Sequence, residues 1–290
     1  MNLRTVRKKI KSIKNVRKIT KAMQMVSAVK MRKAQQLEVE GRAYREGLRE
    51  IIGKIAAKID LKSIKLFDVD TSEANRELVL VISSNKGLAG SFNVNIMKGS
   101  LSYIKDFSKT DIVTVGSKGS QFFARVQNAN VLADFSHKNP IIQVSAIFDY
   151  ILNAYNSGSY KKISLIYSKY ISTTKSDIRV ETLLPFENII SEIANLKAES
   201  KIAHHSELII EPNPIVIVKE ILMSFLENDI RGAILSSEAV EHSARMMAMK
   251  SATDNATEII YQMTLLSNRL RQEKITNELL DMITAKESVS

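Results

Sequence analysis

Residues 1–37 read MNLRTVRKKIKSIKNVRKITKAMQMVSAVKMRKAQQL, and the reading of this stretch decides the fold. Its apolar positions include Leu3, Val6, Ile10, Ile13, Val16, Met23 and Val26. They recur mostly at intervals of three, four or seven, the period of a helix and close to that of a coiled coil. The pattern continues through Leu37, Tyr44, Leu48, Ile51, Ile55 and Ile59 to about Asp60. Gly41, Gly47 and Gly53 weaken this second half, each by roughly 1 kcal/mol relative to Ala, without interrupting the period. The basic, acid-free start could be taken for a mitochondrial transit peptide. The unbroken period argues against that, and the absence of an apolar core and cleavage site argues against a secretory signal.

The same stretch holds most of the charge imbalance. The 290-residue chain has 42 Lys and Arg against 31 Asp and Glu, a net charge of +11. Residues 1–37 contain 12 of the cations and no acid, so the remainder is close to neutral. Such a segment implies an acidic partner, either nucleic acid, anionic lipid or an acidic protein surface, or else a solvated helix face with an unusual bias. The composition, 44% apolar and 25% charged, is ordinary for a soluble protein. No apolar run is long enough to span a bilayer. There is no cysteine, which excludes disulfides, thiolate metal sites and cysteine nucleophiles, and fits a reducing compartment.

The opposite end carries a second long helical pattern. All four prolines lie between Pro140 and Pro214, so both ends are free to be helical. From about Pro214 to Ala285 the stripe includes Ile221, Leu222, Phe225, Ile234, Leu235, Val240, Met247, Ile259, Met263, Leu266, Leu270, Ile275, Leu279 and Ile283, with Gly232 the only glycine. Some 70 residues of helix extend on the order of 100 Å, too long for a compact domain, so such helices must pair or enter a partner. Both ends are rich in Ala and Met, as AMQMVSAVKM (22–31) and SARMMAMKSATDNA (243–256). Small and adaptable side chains suit close helix packing, or a surface that meets several partner faces in turn.

Between them the texture changes to alternating strand and helix. Expected strands are Glu77–Ser83, Asp111–Gly116, Val131–Phe135, Lys162–Tyr167 and Ile178–Leu184. Expected helices are Leu88–Asp106, Ser120–Val126 and Ile141–Asn156. That order predicts a small α/β domain with a mostly parallel sheet, inserted between the halves of a coiled coil.

Chemical motifs are sparse. SSNKGLAG (83–90) and GSKG (116–119) stand where phosphate loops stand, but neither matches a phosphate-binding pattern, and their glycines read as tight turns. The histidines, His137, His204, His205 and His242, have no metal-ligand spacing, and no serine has a nucleophile context. No cofactor, metal site or catalytic group is expected.

Six segments resemble one family. KITKAMQMVSAVKMRK (18–33), SEAVEHSARMMAMKSATDN (237–255) and NRLRQEKITNELL (268–280) closely resemble the terminal signatures of the gamma subunit of F-type ATP synthases. SSNKGLAG and GSKG resemble turns of that family's central domain, and EPNP (211–214) resembles the entry to its last helix. The resemblance implies an α/β fold in which N- and C-terminal helices form a long antiparallel coiled coil around an inserted, Rossmann-like central domain, with divisions at 1–60, 61–212 and 213–290. It implies a non-catalytic rotor of the central stalk that couples proton-driven rotation of the membrane c ring to cycling of the catalytic beta subunits. Its partners would be the alpha and beta subunits, the epsilon subunit and the c ring, on the cytoplasmic face of a bacterial membrane. Chloroplast members carry a cysteine-bearing insert; this chain has no cysteine, so thiol control is excluded. By the same resemblance, Met23, Arg245, Arg271, Gln272, Thr276 and Glu278 would meet the beta subunits, and Leu208 and Glu211 the c ring at the foot. The competing readings are a basic-helix nucleic-acid-binding protein, testable by salt-sensitive DNA binding, and an α/β nucleotide enzyme.

The two helix lengths also predict a register. If their lower ends align at the central domain, paired positions in an antiparallel coil sum to roughly 269–274. Met23 then lies level with Met246–Ser251, and Leu3 with Leu266–Arg271. Beyond that level the last helix continues unpaired for on the order of 20 residues, with Leu279, Leu280, Met282 and Ile283 exposed. With no phosphate loop and no catalytic cluster, the purified chain is expected to show no ATP turnover, measured by phosphate release against a buffer blank; measurable hydrolysis would overturn this reading.

Overall fold

Alternate residues of one strand point to two different cores, and this organises the central region. In the computed structural model, which describes residues 2–56, 74–136, 139–185 and 214–287, strand β1 spans Arg76–Ile82. Its Leu78, Leu80 and Ile82 join one apolar cluster, and its Val79 and Val81 join another on the opposite face. A strand buried on both faces needs an unbroken apolar run, and LVLVI supplies it.

The remaining strands are β2 (Thr110–Val115), β3 (Asn130–Asp134), β4 (Tyr160–Tyr170) and β5 (Ser176–Leu184), in the order β3-β2-β1-β4-β5. The first four are parallel, and β5 pairs antiparallel to β4. Helices α2 (Phe92–Tyr103) and α3 (Ser117–Phe123) cover one face through Phe92, Ile96, Met97 and Phe123. Helix α4 (Val144–Asn156), preceded by a 3-10 turn at Pro140–Gln143, covers the other through Val144, Ile147, Ile151 and Tyr155.

The long terminal helices are α1 (Leu3–Ala56) and α5 (Pro214–Glu287). The chain divides into two compact units: Met1–Ala28 with Arg245–Ser290, and Val29–Ala244. In the second unit, Leu48, Ile52 and Ile55 of α1 and Val218, Leu222, Phe225, Leu226, Ile230 and Ile234 of α5 join the α4-side core. The first unit is built from the opposite ends of the same two helices.

Two expected helices begin at other residues. The helix expected from Leu88 begins at Phe92, because Leu88 (φ 61°) and Gly90 (φ 53°) are left-handed and cannot continue a right-handed helix. The helix expected from Ser120 begins at Ser117, directly after Gly116 (φ 104°). A methyl at Gly116 would lie 2.2 Å from the Ser83 carbonyl oxygen, so that turn requires glycine. Several positions of the apolar stripes, including Val16, Val26, Tyr44 and Ile51, are exposed, since a two-helix seam covers a narrower arc than the stripes occupy.

One carboxylate ties the starts of the four parallel strands together. Asp111 is buried in β2. It accepts hydrogen bonds from Arg76 Nε at 3.0 Å, Asn130 Nδ2 at 2.8 Å and Tyr160 Oη at 2.8 Å, the first residues of β1, β3 and β4, and is also bonded by the Arg76 Nη2 group. Burial alone would raise its pKa, but these bonds and the Arg76 charge outweigh it and hold the pKa below the ordinary carboxylate value. A depressed folded pKa contributes stability that is present above the unfolded value of about 3.9 and is lost as the pH falls through the folded value. Asp111→Ala, which leaves the Tyr160 hydroxyl without its acceptor, is expected to cost about 2 kcal/mol at neutral pH. Asp111→Asn is expected to flatten the fall in stability below about pH 4; denaturant melts across pH check both, and a wild-type acid profile in Asp111→Asn would contradict the assignment.

Candidate functional site

Four amides of the two glycine-bearing turns are used internally. The amide of Ser117 donates to Asn85 Oδ1 at 3.0 Å, that of Lys118 to the Ser84 carbonyl at 3.0 Å, and that of Gly119 to Ser83 Oγ at 2.9 Å. The Ser84 amide donates to Asn93 Oδ1 at 3.2 Å. The first three join one strand-to-helix turn to the other, and Gly90 and Gly116 serve backbone geometry. Among the described residues no cluster of three or more His, Cys, Asp or Glu could hold a metal ion. No described helix is long and apolar enough to cross a membrane.

The sites of interest are instead the contacts of the long helices. Within the second unit, α1 and α5 run antiparallel: Arg45 Nη1 donates to the Asn228 carbonyl at 3.4 Å, and the Arg49 guanidinium lies 5.6 Å from the Phe225 ring centre. Arg45 also pairs with Glu38 at 3.1 Å, and Glu38 with Arg42 at 2.8 Å. Gly232 makes room for this, since a methyl there would lie 2.3 Å from Arg45 Nη1. The one glycine of the last helix is therefore a notch for a guanidinium in the seam. A groove of about 1360 Å³ opens beside β5, and its lining includes Glu38, Arg42 and Arg45, whose charges are spent on one another.

Three serines fasten α5 to β4 and the loop that follows it. Ser237 Oγ accepts the Ser168 amide at 2.9 Å, and Ser236 Oγ accepts the Tyr170 amide at 2.8 Å. Ser243 Oγ donates to the Thr173 carbonyl at 2.5 Å. All three are buried. Nearby, His242 Nε2 lies 3.5 Å from Glu238 Oε1 one helical turn away, and Ser145 Oγ donates to Glu227 Oε1 at 2.8 Å, linking α4 to α5. The sequence marked the segment from Ser237 as a family signature without giving its reason. The available signal was a pair of serines inside the apolar run Ala233-Ile-Leu-Ser-Ser-Glu-Ala-Val240.

Within the first unit the hydroxyls of Thr20 and Thr253 meet at 2.8 Å. Their positions sum to 273, inside the expected register, and Arg45–Asn228 in the other unit gives the same sum. Val6 and Ser267, also summing to 273, are both buried, and Leu3 and Leu270 are half-buried. From Arg271 to Ala285 every residue is exposed. Leu279, Leu280, Met282 and Ile283 are each at least half open to solvent, as the register requires. Of the 12 cations in residues 1–37, all but half-buried Arg17 are exposed.

Of the residues singled out by resemblance, six lie on the two long helices. Met23 is half-buried and Arg245 is buried. Arg271, Gln272, Thr276 and Glu278 are exposed. Thr276 Oγ1 donates to the Gln272 carbonyl at 3.0 Å, and Glu278 pairs with Lys274 at 3.4 Å. Leu208 and Glu211 lie outside the described residues.

A family model described as ATP synthase matches residues 2–289. The ATP synthase gamma chain of Xanthomonas campestris pv. campestris (strain B100) is 32% identical over 295 residues, covering 99% of each chain. That of Geobacter sp. (strain M21) is 34% identical over 297 residues, with the same coverage. Among solved structures, a chain of the Euglena gracilis mitochondrial ATP synthase in rotational state 3 matches with a TM-score of 0.67 at 20% identity, covering 99% of this chain and 94% of that one. A chain of the Tetrahymena thermophila mitochondrial ATP synthase central stalk and c ring matches with a TM-score of 0.57 at 22% identity, covering 81% and 99%. At these identities the two structures establish the fold.

A helix without a lateral partner opens readily, because isolated helices of this length are marginal in water. In the free chain, backbone amides at 271–285 are expected to exchange with solvent at least about 100-fold faster than those at 222–240. Hydrogen exchange read by mass spectrometry checks this, and equal protection in the two regions would show that the tail is held.

Proposed function

This chain belongs to the ATP synthase gamma-chain family, and we propose that it works there as the rotor of the central stalk, carrying rotation from a membrane ring to catalytic subunits without chemistry of its own. The paired ends of α1 and α5 form the shaft within a hexamer of alpha and beta subunits, and ATP is made or cleaved on the beta subunits. The central domain stands at the foot with the epsilon subunit and the c ring. Its place is peripheral, on the cytoplasmic face of a bacterial membrane, with protons as the driving ion. The working divisions are 1–60, 61–212 and 213–290. The nucleic-acid reading of the basic helix finds no support among the relatives.

One observation carries this reading: α5 continues past the end of α1 with a fully exposed surface that includes five large apolar side chains, Ile275 among them. Such a surface is ordinarily buried in a partner. A collar of subunits would sheathe Leu279, Leu280, Met282 and Ile283, and a bearing with few fixed polar partners would turn with little resistance. The exposed cations of α1 sit on one part of the shaft and would face acidic loops of the beta subunits. A partner with open and closed states is driven only by contacts that differ between those states, and an uneven charge pattern supplies them as it turns.

Individual roles follow the family. Arg271, Gln272, Thr276 and Glu278 would grip a beta-subunit loop high on the shaft, Met23 and Arg245 would meet the beta subunits lower down, and Leu208 and Glu211 would meet the c ring. The exposed placement of the first four supports their assignment. Co-purification of the tagged chain with alpha and beta subunits tests the whole reading; a chain recovered alone from cells that make both would contradict it.

Met23 is half-buried, so a longer cationic side chain there would reach outward along the shaft. Met23→Lys is expected to bind an acidic beta-subunit loop too tightly and to uncouple rotation from synthesis. In reconstituted vesicles ATP synthesis should fall several-fold more than ATP hydrolysis; equal retention of both would remove Met23 from the contact.

A further inference from the structure

An open, doubly wound sheet ordinarily takes its ligand in the crevice beyond the carboxyl ends of the strands, where the strand order reverses. Here the reversal lies between β1 and β4. The pairing of β1 with β4 ends at Val81 and Ile166, and β4 runs on to Tyr170. The amides of Ser168 and Tyr170, two residues apart and so on the same side of the strand, are taken by the hydroxyls of Ser237 and Ser236. Ala89, in the turn after β1, shares its apolar cluster with Val240, and Ala244 packs against that cluster. A methyl on Gly90 would lie 3.7 Å from the Ala244 carbonyl oxygen. The crevice is filled by α5 from Ser236 to Ala244.

We propose that this filled crevice is the joint through which the central domain turns the shaft, and that Ser236, Ser237 and Ser243 are the positioning residues that stop α5 from rolling in it. The proposal rests on the rotor reading above. Apolar packing is non-directional and resists separation better than rotation. Hydrogen bonds weaken steeply with angle, so a buried set aimed from one helix at a strand and its following loop resists rotation about the helix axis. Ser236 and Ser237 point at β4, and Ser243, about two turns further on, points at Thr173 in the β4–β5 loop. Two anchor levels along the helix resist tilt as well as roll. The strand that supplies the amides is paired with β1 up to Ile166 and with β5 on to Tyr170, which gives the amides a stiff base.

The test uses the assembled rotary complex with its hexamer immobilised. A cysteine introduced at exposed Leu101, in a chain that has no other, carries the probe on the central domain. With the hexamer arrested, the angular variance of the probe reports the torsional stiffness between domain and shaft. In Ser236→Ala/Ser237→Ala the variance is expected to rise about twofold or more, because two strand amides lose their buried acceptors. Val240→Ala, which trims apolar packing in the same crevice and leaves the hydroxyls in place, is expected to leave the variance near that of the parent. An unchanged variance in the serine variant would overturn the proposal, as would an equal rise in Val240→Ala. Should the double variant fail to assemble, Ser243→Ala alone is read the same way, with the same two outcomes. A parent complex whose probe never rotates on ATP, before any arrest, would instead defeat the rotor reading itself.

Discussion

A helix of 74 residues must find a lateral partner for almost every turn, because its own backbone bonds leave it marginal in water. Helix α5 meets this demand in three ways along its length. From Val218 to Val240 its apolar side chains complete the two cores of the central domain. From Met249 to Ser267 its buried positions fall at the levels of buried or half-buried positions on α1, with Thr20 and Thr253 in direct contact. Beyond Leu270 it has no covering within the chain among the described residues. The same helix is thus a core element, one strand of a coil and a bare rod, and each role follows from what covers it.

The central domain has the strand order and turns of a ligand-binding sheet, yet its resources are committed elsewhere. The amides of 117–119 serve Asn85, Ser84 and Ser83, and the crevice at the reversal of strand order holds α5. A fold that elsewhere recognises a small molecule here holds a piece of its own chain. Fold alone therefore says little about function; the contents of the crevice say more.

Much of this was legible because its physics is local. The three- and four-residue spacing exposed both long helices, and the equal rise of two helices gave a register within which Thr20–Thr253 and Arg45–Asn228 fall. The central strands were visible as apolar runs between turn residues. The antiparallel direction of β5 was hidden, since side-chain alternation is the same in either direction. Asp111 was hidden too: its meaning lies in Arg76, Asn130 and Tyr160, which no local pattern connects to it. Serines 236 and 237 read as ordinary helix residues until the strand they cap was placed beside them. Of the residues chosen by resemblance, those on the exposed tail are explained by their solvent-facing positions, whereas buried Arg245 gains no such explanation from exposure.

The bare end of α5 would present a different surface in an enclosed copy and in a free one. A helix that opens often presents extended backbone, and extended backbone is what a protease needs to cut. A copy enclosed by partners would hide Leu279 to Ile283; a copy without them displays those apolar side chains on a segment that frays. In a copy without partners the last turns would therefore be the part of the helix most open to cleavage, and enclosure by partners would remove that opening.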